Sequence, residues 1–158
     1  MAGHNDTALE IVRLRPMLTS GLAELFAEIH AAGDDRKFHP HPFTAEEAAR
    51  LCNYEGADIY AAMVVGDRVA GYGMLRGWEA GFAIPSLGIA ISPSFRGRSL
   101  GRLMMLHLHA AAAVRGAEKV RLKVYRDNEP AKKLYESLGY VFEGEEGPQL
   151  VGHIRLAA

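Results

Sequence analysis

Hydrophobic positions recur along this chain with two alternating periods. Leu18, Leu22, Leu25, Phe26 and Ile29 follow spacings of four, three, one and three, the stripe of an amphipathic helix. Before it, Leu9, Ile11 and Val12, flanked by Arg13 and Arg15, predict a first strand. Asp34 to Lys37 breaks the helical stripe. Thr44 then opens a second helix, with Glu47 three residues on completing a capping box. Phe38-His39-Pro40-His41-Pro42-Phe43 joins the two helices as a stiff aromatic linker.

From here strands dominate. Ile59 to Val65 and Arg68 to Leu75 are strand-like runs separated only by Gly66-Asp67, a connection that closes a tight antiparallel hairpin. Ser86 to Ser92 is a further apolar strand stopped by Pro93. Leu100, Leu103, Met104, Leu108 and Ala111 mark one face of a long helix reaching about Arg115, so the local order is strand, loop, helix. Val120, Leu122 and Val124 alternate with Lys119, Arg121 and Lys123 as a half-buried strand. In the next helix Ala131, Leu134, Tyr135 and Leu138 share a face, and Gly139 supplies the stop. The tail reads as a closing hairpin: Tyr140 to Phe142, a turn at Glu143 to Gly147, then Leu150, Ile154 and Leu156 at even spacing. With no repeat, low-complexity run or linker, the order predicts one α/β domain over residues 1–158, with a mixed, mostly antiparallel sheet of about seven strands and about four helices.

Composition narrows the functions available. The 158 residues are 49% hydrophobic, enough to bury a core without staples. The 18 basic and 19 acidic side chains nearly cancel, so no broad field steers the protein toward nucleic acid or anionic lipid, and any anion site must be local. The lone Cys52 cannot form an internal disulfide, which fits a reducing compartment. Met1 to Asp6 is short and polar, and no uncharged run approaches the roughly 20 residues of a bilayer span. A cytoplasmic protein without membrane attachment is the expectation.

Ile91-Ser92-Pro93-Ser94-Phe95-Arg96-Gly97-Arg98-Ser99-Leu100-Gly101 carries the most chemistry, because it joins a strand to a helix start. Helix N-termini present unbonded N–H groups and partial positive charge, which suit a phosphate. Gly97 lets the backbone turn and approach a ligand, Gly101 leaves the first helical turn without a side chain, and Arg96 and Arg98 add charged donors. The segment lacks the Gly-Lys-Ser/Thr ending of a P-loop and the spacing of the dinucleotide fingerprint.

Arg96-Gly97-Arg98-Ser99-Leu100-Gly101 resembles motif A of the GNAT superfamily of acetyltransferases, Arg/Gln-x-x-Gly-x-Gly/Ala, and the preceding Ile91-Ser92-Pro93 matches too. A second, independent segment, Asp127-Asn128-Glu129-Pro130-Ala131-Lys132-Lys133-Leu134-Tyr135-Glu136-Ser137-Leu138-Gly139-Tyr140, is similar to the family's Asn-x-x-A-x-x-L-Y-x-x-x-G-F/Y stretch. The specific motifs lie within about Leu87 to Phe142, and the N-terminal half agrees by layout. One position departs: Ser99 stands where the family usually has Gly.

The resemblance implies acetyl-CoA as cosubstrate, held by Ile91, Arg96 to Gly101 and Asn128, and direct acetyl transfer to a primary amine of a small molecule or protein. It implies that the Ile91 strand splays from its neighbour, and that Tyr135 assists the leaving sulfur. Asn128 is also well placed as an N-cap. Ser86 occupies the position where a basic Glu is often found, leaving water, Glu79, His39 or His41 as proton acceptors. His39, His41 and Trp78 are candidates for the acceptor site, and Glu143, Glu145 and Glu146 form an acidic patch that could attract an amine or simply be wet. No metal site is expected: His107 falls on the Leu100-Leu103-Met104-Leu108 face as a core histidine, with His109 nearly opposite, so the two cannot converge on a metal with His39 and His41. Homodimers are common in the family, though oligomeric state is not legible in this chain. A non-catalytic acyl-CoA-binding or regulatory domain on the same fold is the other function class, kept open by Ser86 and Ser99.

Overall fold

A computed structural model describes residues 8–156, so Met1–Asp6, read above as lacking a leader, lies outside the described residues. The element order is β1 (Leu9–Arg13), α1 (Thr19–Ala31), α2 (Ala45–Cys52), β2 (Ile59–Val65), β3 (Arg68–Arg76), β4 (Ser86–Ile91), α3 (Leu100–Val114), β5 (Lys119–Tyr125), α4 (Glu129–Leu138), β6 (Val141–Glu146) and β7 (Gln149–Arg155). The seven strands form one sheet in the order β1-β2-β3-β4-β5-β7-β6. All neighbours are antiparallel except β4 and β5, which the α3 crossover makes parallel.

Period-2 alternation divides the core between two faces of this sheet. On one face Tyr60, Ala62, Tyr72, Met74 and Ala90 pack under α1 and α2. On the other, Ala61, Met63, Leu75, Leu87 and Leu122 pack under α3 and α4. Tyr72 is fully buried and meets Phe26 edge-on, with ring centroids 5.3 Å apart. Gly73 marks the closest approach of α3: a Cβ there would lie 2.9 Å from Leu108 and Met104 atoms, so the helix could not settle on the sheet.

Local signals place the boundaries. Thr44 Oγ1 accepts from the Glu47 N–H at 3.1 Å, and Gly139 ends α4 in the left-handed region at φ 108°. Two expectations are corrected. The closing turn lies at Gly147-Pro148, because Glu143 to Glu146 continue β6 against β7. The buried stripe of α3 runs through Leu100, Met104, Met105, Leu108 and Ala112, leaving Leu103 39% exposed. That shift of one helical row puts His107 outside and turns His109 inward, where its Nε2 lies 2.7 Å from the Tyr140 hydroxyl and burial lowers its pKa.

Candidate active site

The loop from Ser92 to Ser99 is tied down at its start and open at its end. Ser92 is fully buried: its N–H donates to Ala70 O at 2.8 Å and its hydroxyl to Glu28 Oε2 at 2.5 Å. Glu28 also accepts from Arg68 at 3.1 Å. Beyond Phe95 the chain changes character. Gly97 takes φ +78° and Ser99 φ 61°, the one non-glycine residue in the left-handed region among the described residues. Ser99 occupies the N-cap position of α3 without a side-chain cap, and Leu103 N–H is the first of the helix to find a carbonyl, Ser99 O at 3.1 Å. The seven N–H groups from Arg96 to Arg102 therefore donate to no described protein group. Such a run at a helix start is an anion cradle.

The cradle is unobstructed. A Cβ built on Gly97 meets nothing within 4 Å, whereas one on Gly101 would make ordinary contacts with Leu134, Ile89 and Ile91 at 3.6–3.9 Å. Arg96 turns to Asp34 and to Ile91 O, so its charge is already compensated. Arg98 lies over the Phe95 ring with 5.6 Å to the centroid and has no ion-pair partner among the described residues, leaving it as the loop's available cation. These residues fit a pyrophosphate.

The loop leads to a gap in the sheet. β4 is in register with β3 along its whole length, but meets β5 only at Ser86↔Arg121, supported by Arg121 N–H to Pro85 O at 2.9 Å. Because Ser92 N–H points to β3, the two-residue period aims the backbone groups of Leu87, Ile89 and Ile91 toward β5; Leu87 N–H belongs to the Ser86↔Arg121 bridge, and beyond it no strand pairs with the groups of Ile89 and Ile91. Those groups can accept or donate to an extended ligand arm. Tyr135 borders this face from α4, its ring 5.9 Å from that of Tyr140. Burial pushes its pKa up to about 12, and its hydroxyl has no protein partner among the described residues.

On the opposite face a second cleft reaches the same two strands, lined among others by Lys37, His39, Arg76, Ser86, Gly88 and Lys123. His39 Nε2 lies 2.6 Å from the Tyr125 hydroxyl at the end of β5. The linker's other imidazole goes elsewhere. His41 packs against Phe26, Phe43 and Tyr72, its Nδ1 donates to Pro42 O at 2.8 Å and its Nε2 accepts from Tyr72 at 2.9 Å. Burial lowers its pKa, keeping it neutral and structural.

Comparison with known proteins decides what this arrangement is. The family model described as "Acetyltransferase (GNAT) family" matches residues 24–140. The chain belongs to the GNAT acetyltransferase family. Membership places the chain among acetyltransferases. A curated relative, the [ribosomal protein bS18]-alanine N-acetyltransferase of Salmonella typhimurium, is 42% identical over 52 residues, 33% of this chain; the chain spans about a third (35%) of that relative's length. Solved structures agree in fold. The PaiA N-acetyltransferase of Thermoplasma acidophilum in complex with coenzyme A superposes with TM-score 0.76 at 15% identity, covering 94% of this chain and 99% of that one. The GNAT domain of S. lividans PAT gives TM-score 0.80 at 15% identity, covering 94% and 90%.

In this GNAT chain the expected site residues fall into two groups. Ile91, Arg96 to Gly101 and Tyr135 surround the loop and the gap, and Asn128 stands at the α4 N-cap position with no side-chain capping bond. Trp78 is separate: Arg115 at the far end of α3 stacks over it, 4.6 Å from its centroid. Glu79 is pinned by the Ala57 N–H at 2.5 Å and the Tyr54 hydroxyl at 3.1 Å, which hold its carboxyl below the usual range. Two of the three acids in the acidic patch are paired, Glu145 with Arg126 and Glu146 with Arg121 and Lys123, while Glu143 has no ion-pair partner among the described residues. Sequence reasoning missed Glu28, Arg76 and Tyr125. Only the polar alternation of β5 hinted at Lys123 and its neighbours. Among the described residues no group of three or more His, Cys, Asp or Glu side chains could hold a metal ion, and no helix is long and apolar enough to cross a membrane.

Proposed function

We propose that this chain transfers an acetyl group directly from acetyl-CoA to an amine through the gap between β4 and β5, with residues 1–158 acting as one catalytic domain. One observation carries the proposal: the unbonded N–H run of Arg96 to Arg102 continues into the unpaired edge of β4, a single path for a pyrophosphate and the arm beyond it. Bound acetyl-CoA supplies a thioester whose carbonyl carbon takes the amine nitrogen, a C–N bond forming as the C–S bond breaks and its electron pair leaves on sulfur.

The protein's part is alignment and electrostatics. The Arg96–Arg102 amides and Arg98 hold the pyrophosphate. The β4 N–H groups on the β5 side stand where a carbonyl oxygen would gain charge. Tyr135, with a pKa near 12, is a weaker acid than a thiol, so proton transfer to the sulfur would run uphill; it acts by hydrogen bonding. The nitrogen's proton leaves through the opposite cleft, to water or to His39 beside Tyr125. An acceptor entering there meets the thioester from the face away from α3 and α4. The name of the Salmonella relative supports a protein amino group as one acceptor class, and with it a cytoplasmic site of action.

The test follows free thiol and acetylated product when the full chain is given acetyl-CoA and an amine panel. Thiol release matched by product supports acetyl transfer. Thermal stabilisation by acetyl-CoA with no release from any amine would leave a binding domain, and neither effect would sink both.

A further inference from the structure

The cleft that faces the gap on the α1–α2 side has the wrong charge for a polycation. Lys37, Arg76 and Lys123 line it together with His39, and no carboxylate lines it. Two of these cations are compensated at the rim: Lys37 by Asp127 at 3.5 Å and Lys123 by Glu146 at 3.3 Å. Arg121, the neighbour of Ser86 across the sheet, is also paired with Glu146, at 2.8 Å. Arg76 differs. It is half-buried at the end of β3, its guanidinium donates to Pro40 O at 3.1 Å, and it has no ion-pair partner among the described residues.

Register explains why. The residue directly across from Arg76 on β4 is Ser86, which presents a hydroxyl where an acid would neutralise the guanidinium, and that hydroxyl is already engaged by Arg121 Nη1 at 3.4 Å. A half-buried guanidinium with spare donors in a cleft is incompletely satisfied, and its planar fork matches a carboxylate. Ser86 is also the last residue of β4 in register with β5 before the two strands separate. The uncompensated charge therefore sits at the inner end of the gap.

Resting on the acetyl-transfer reading above, we infer that the acceptor bears a carboxylate close to its amine, bound by Arg76 with Lys123 at the rim. Amino-acid-type acceptors fit. Polyamines and amines in a basic peptide context do not, because they would bring a further cation against the unpaired Arg76.

The experiment compares a set of L-amino acids with their carboxamides, each with acetyl-CoA and the full chain. A carboxamide's amine is less basic and so less protonated at neutral pH, so preference for the acid runs against intrinsic reactivity. The expected result is kcat/KM about tenfold to a hundredfold higher for the acids. Arg76→Gln should bring that ratio close to one, and Arg76→Lys should restore part of it. Calorimetric titration of the N-acetyl amino acid into the CoA-loaded protein gives a readout independent of turnover and should weaken in Arg76→Gln by a similar factor. Thermal unfolding with and without acetyl-CoA verifies that each variant is folded. Equal or greater turnover of carboxamides or diamines, an unchanged ratio in Arg76→Gln, or no binding of any acid to a chain that acetyl-CoA stabilises would overturn the inference. Absence of any acetyl-CoA effect would instead remove the reading beneath it.

Discussion

The two sides of the β4–β5 gap are built from different materials. On the α3 side the site is backbone: seven consecutive N–H groups, two left-handed residues and one available arginine, all within eleven positions of sequence. On the α1–α2 side it is side chains: His39 from the linker, Arg76 from β3, Ser86 from β4, Lys123 and Tyr125 from β5. A backbone site binds what all its ligands share, and a side-chain site can change its acceptor without disturbing the fold. Substitutions should separate the two accordingly.

The largest effect is expected at Gly97. Valine there must adopt φ +78°, which a β-branched residue resists, and its side chain enters the cradle. Gly97→Val should weaken acetyl-CoA binding by about tenfold or more, read by calorimetry. Undiminished affinity would remove the loop from the site. Next comes Tyr135→Phe, which keeps the ring against Tyr140 and deletes the donor. A lost neutral hydrogen bond of about 1 kcal/mol predicts roughly fivefold slower turnover at saturating substrate with acetyl-CoA affinity retained. Unchanged turnover would return Tyr135 to a packing role.

A third expectation concerns stability. Burial lowers the pKa of His41 and His109 in the folded state, so the unfolded chain binds their protons first as pH falls. Stability should be complete above about pH 6.5 and decline below it, toward the depressed folded values. A melting temperature that rises between pH 7 and pH 5 would contradict this. The smallest effect is at Ser99, whose φ 61° costs about 1 kcal/mol for a non-glycine residue, partly offset by glycine's greater unfolded freedom. Ser99→Gly should leave unfolding free energy unchanged or raise it by less than about 1 kcal/mol, and a loss would mean that the hydroxyl is used.

The difference in materials also governs what could be read in advance. Strand and helix order followed from periodicity, and the cradle from Gly97 between an apolar strand and a helix with Gly101 in that helix's first turn. Arg76 could not be read that way: its importance depends on Ser86 lying opposite it and on its having no ion-pair partner among the described residues, facts of register and packing. His41 and His39 look equivalent two residues apart, yet one is drawn into the Phe26 and Tyr72 cluster while the other reaches Tyr125. The setting of Trp78 depends on an equally distant contact, since Arg115, 37 positions later, stacks over it. For α3, apolar residues spread around more than half the helix, so Leu103 and His107 looked inward until the sheet chose Met105 and Ala112.

Amide hydrogen exchange with and without acetyl-CoA tests the central claim most directly. The Arg96 to Arg102 amides have no partner in the free chain and should exchange fast. Added acetyl-CoA should protect this run together with the β4 amides of Ile89 and Ile91. Tight binding that leaves those amides fast while protecting another part of the molecule would contradict the account.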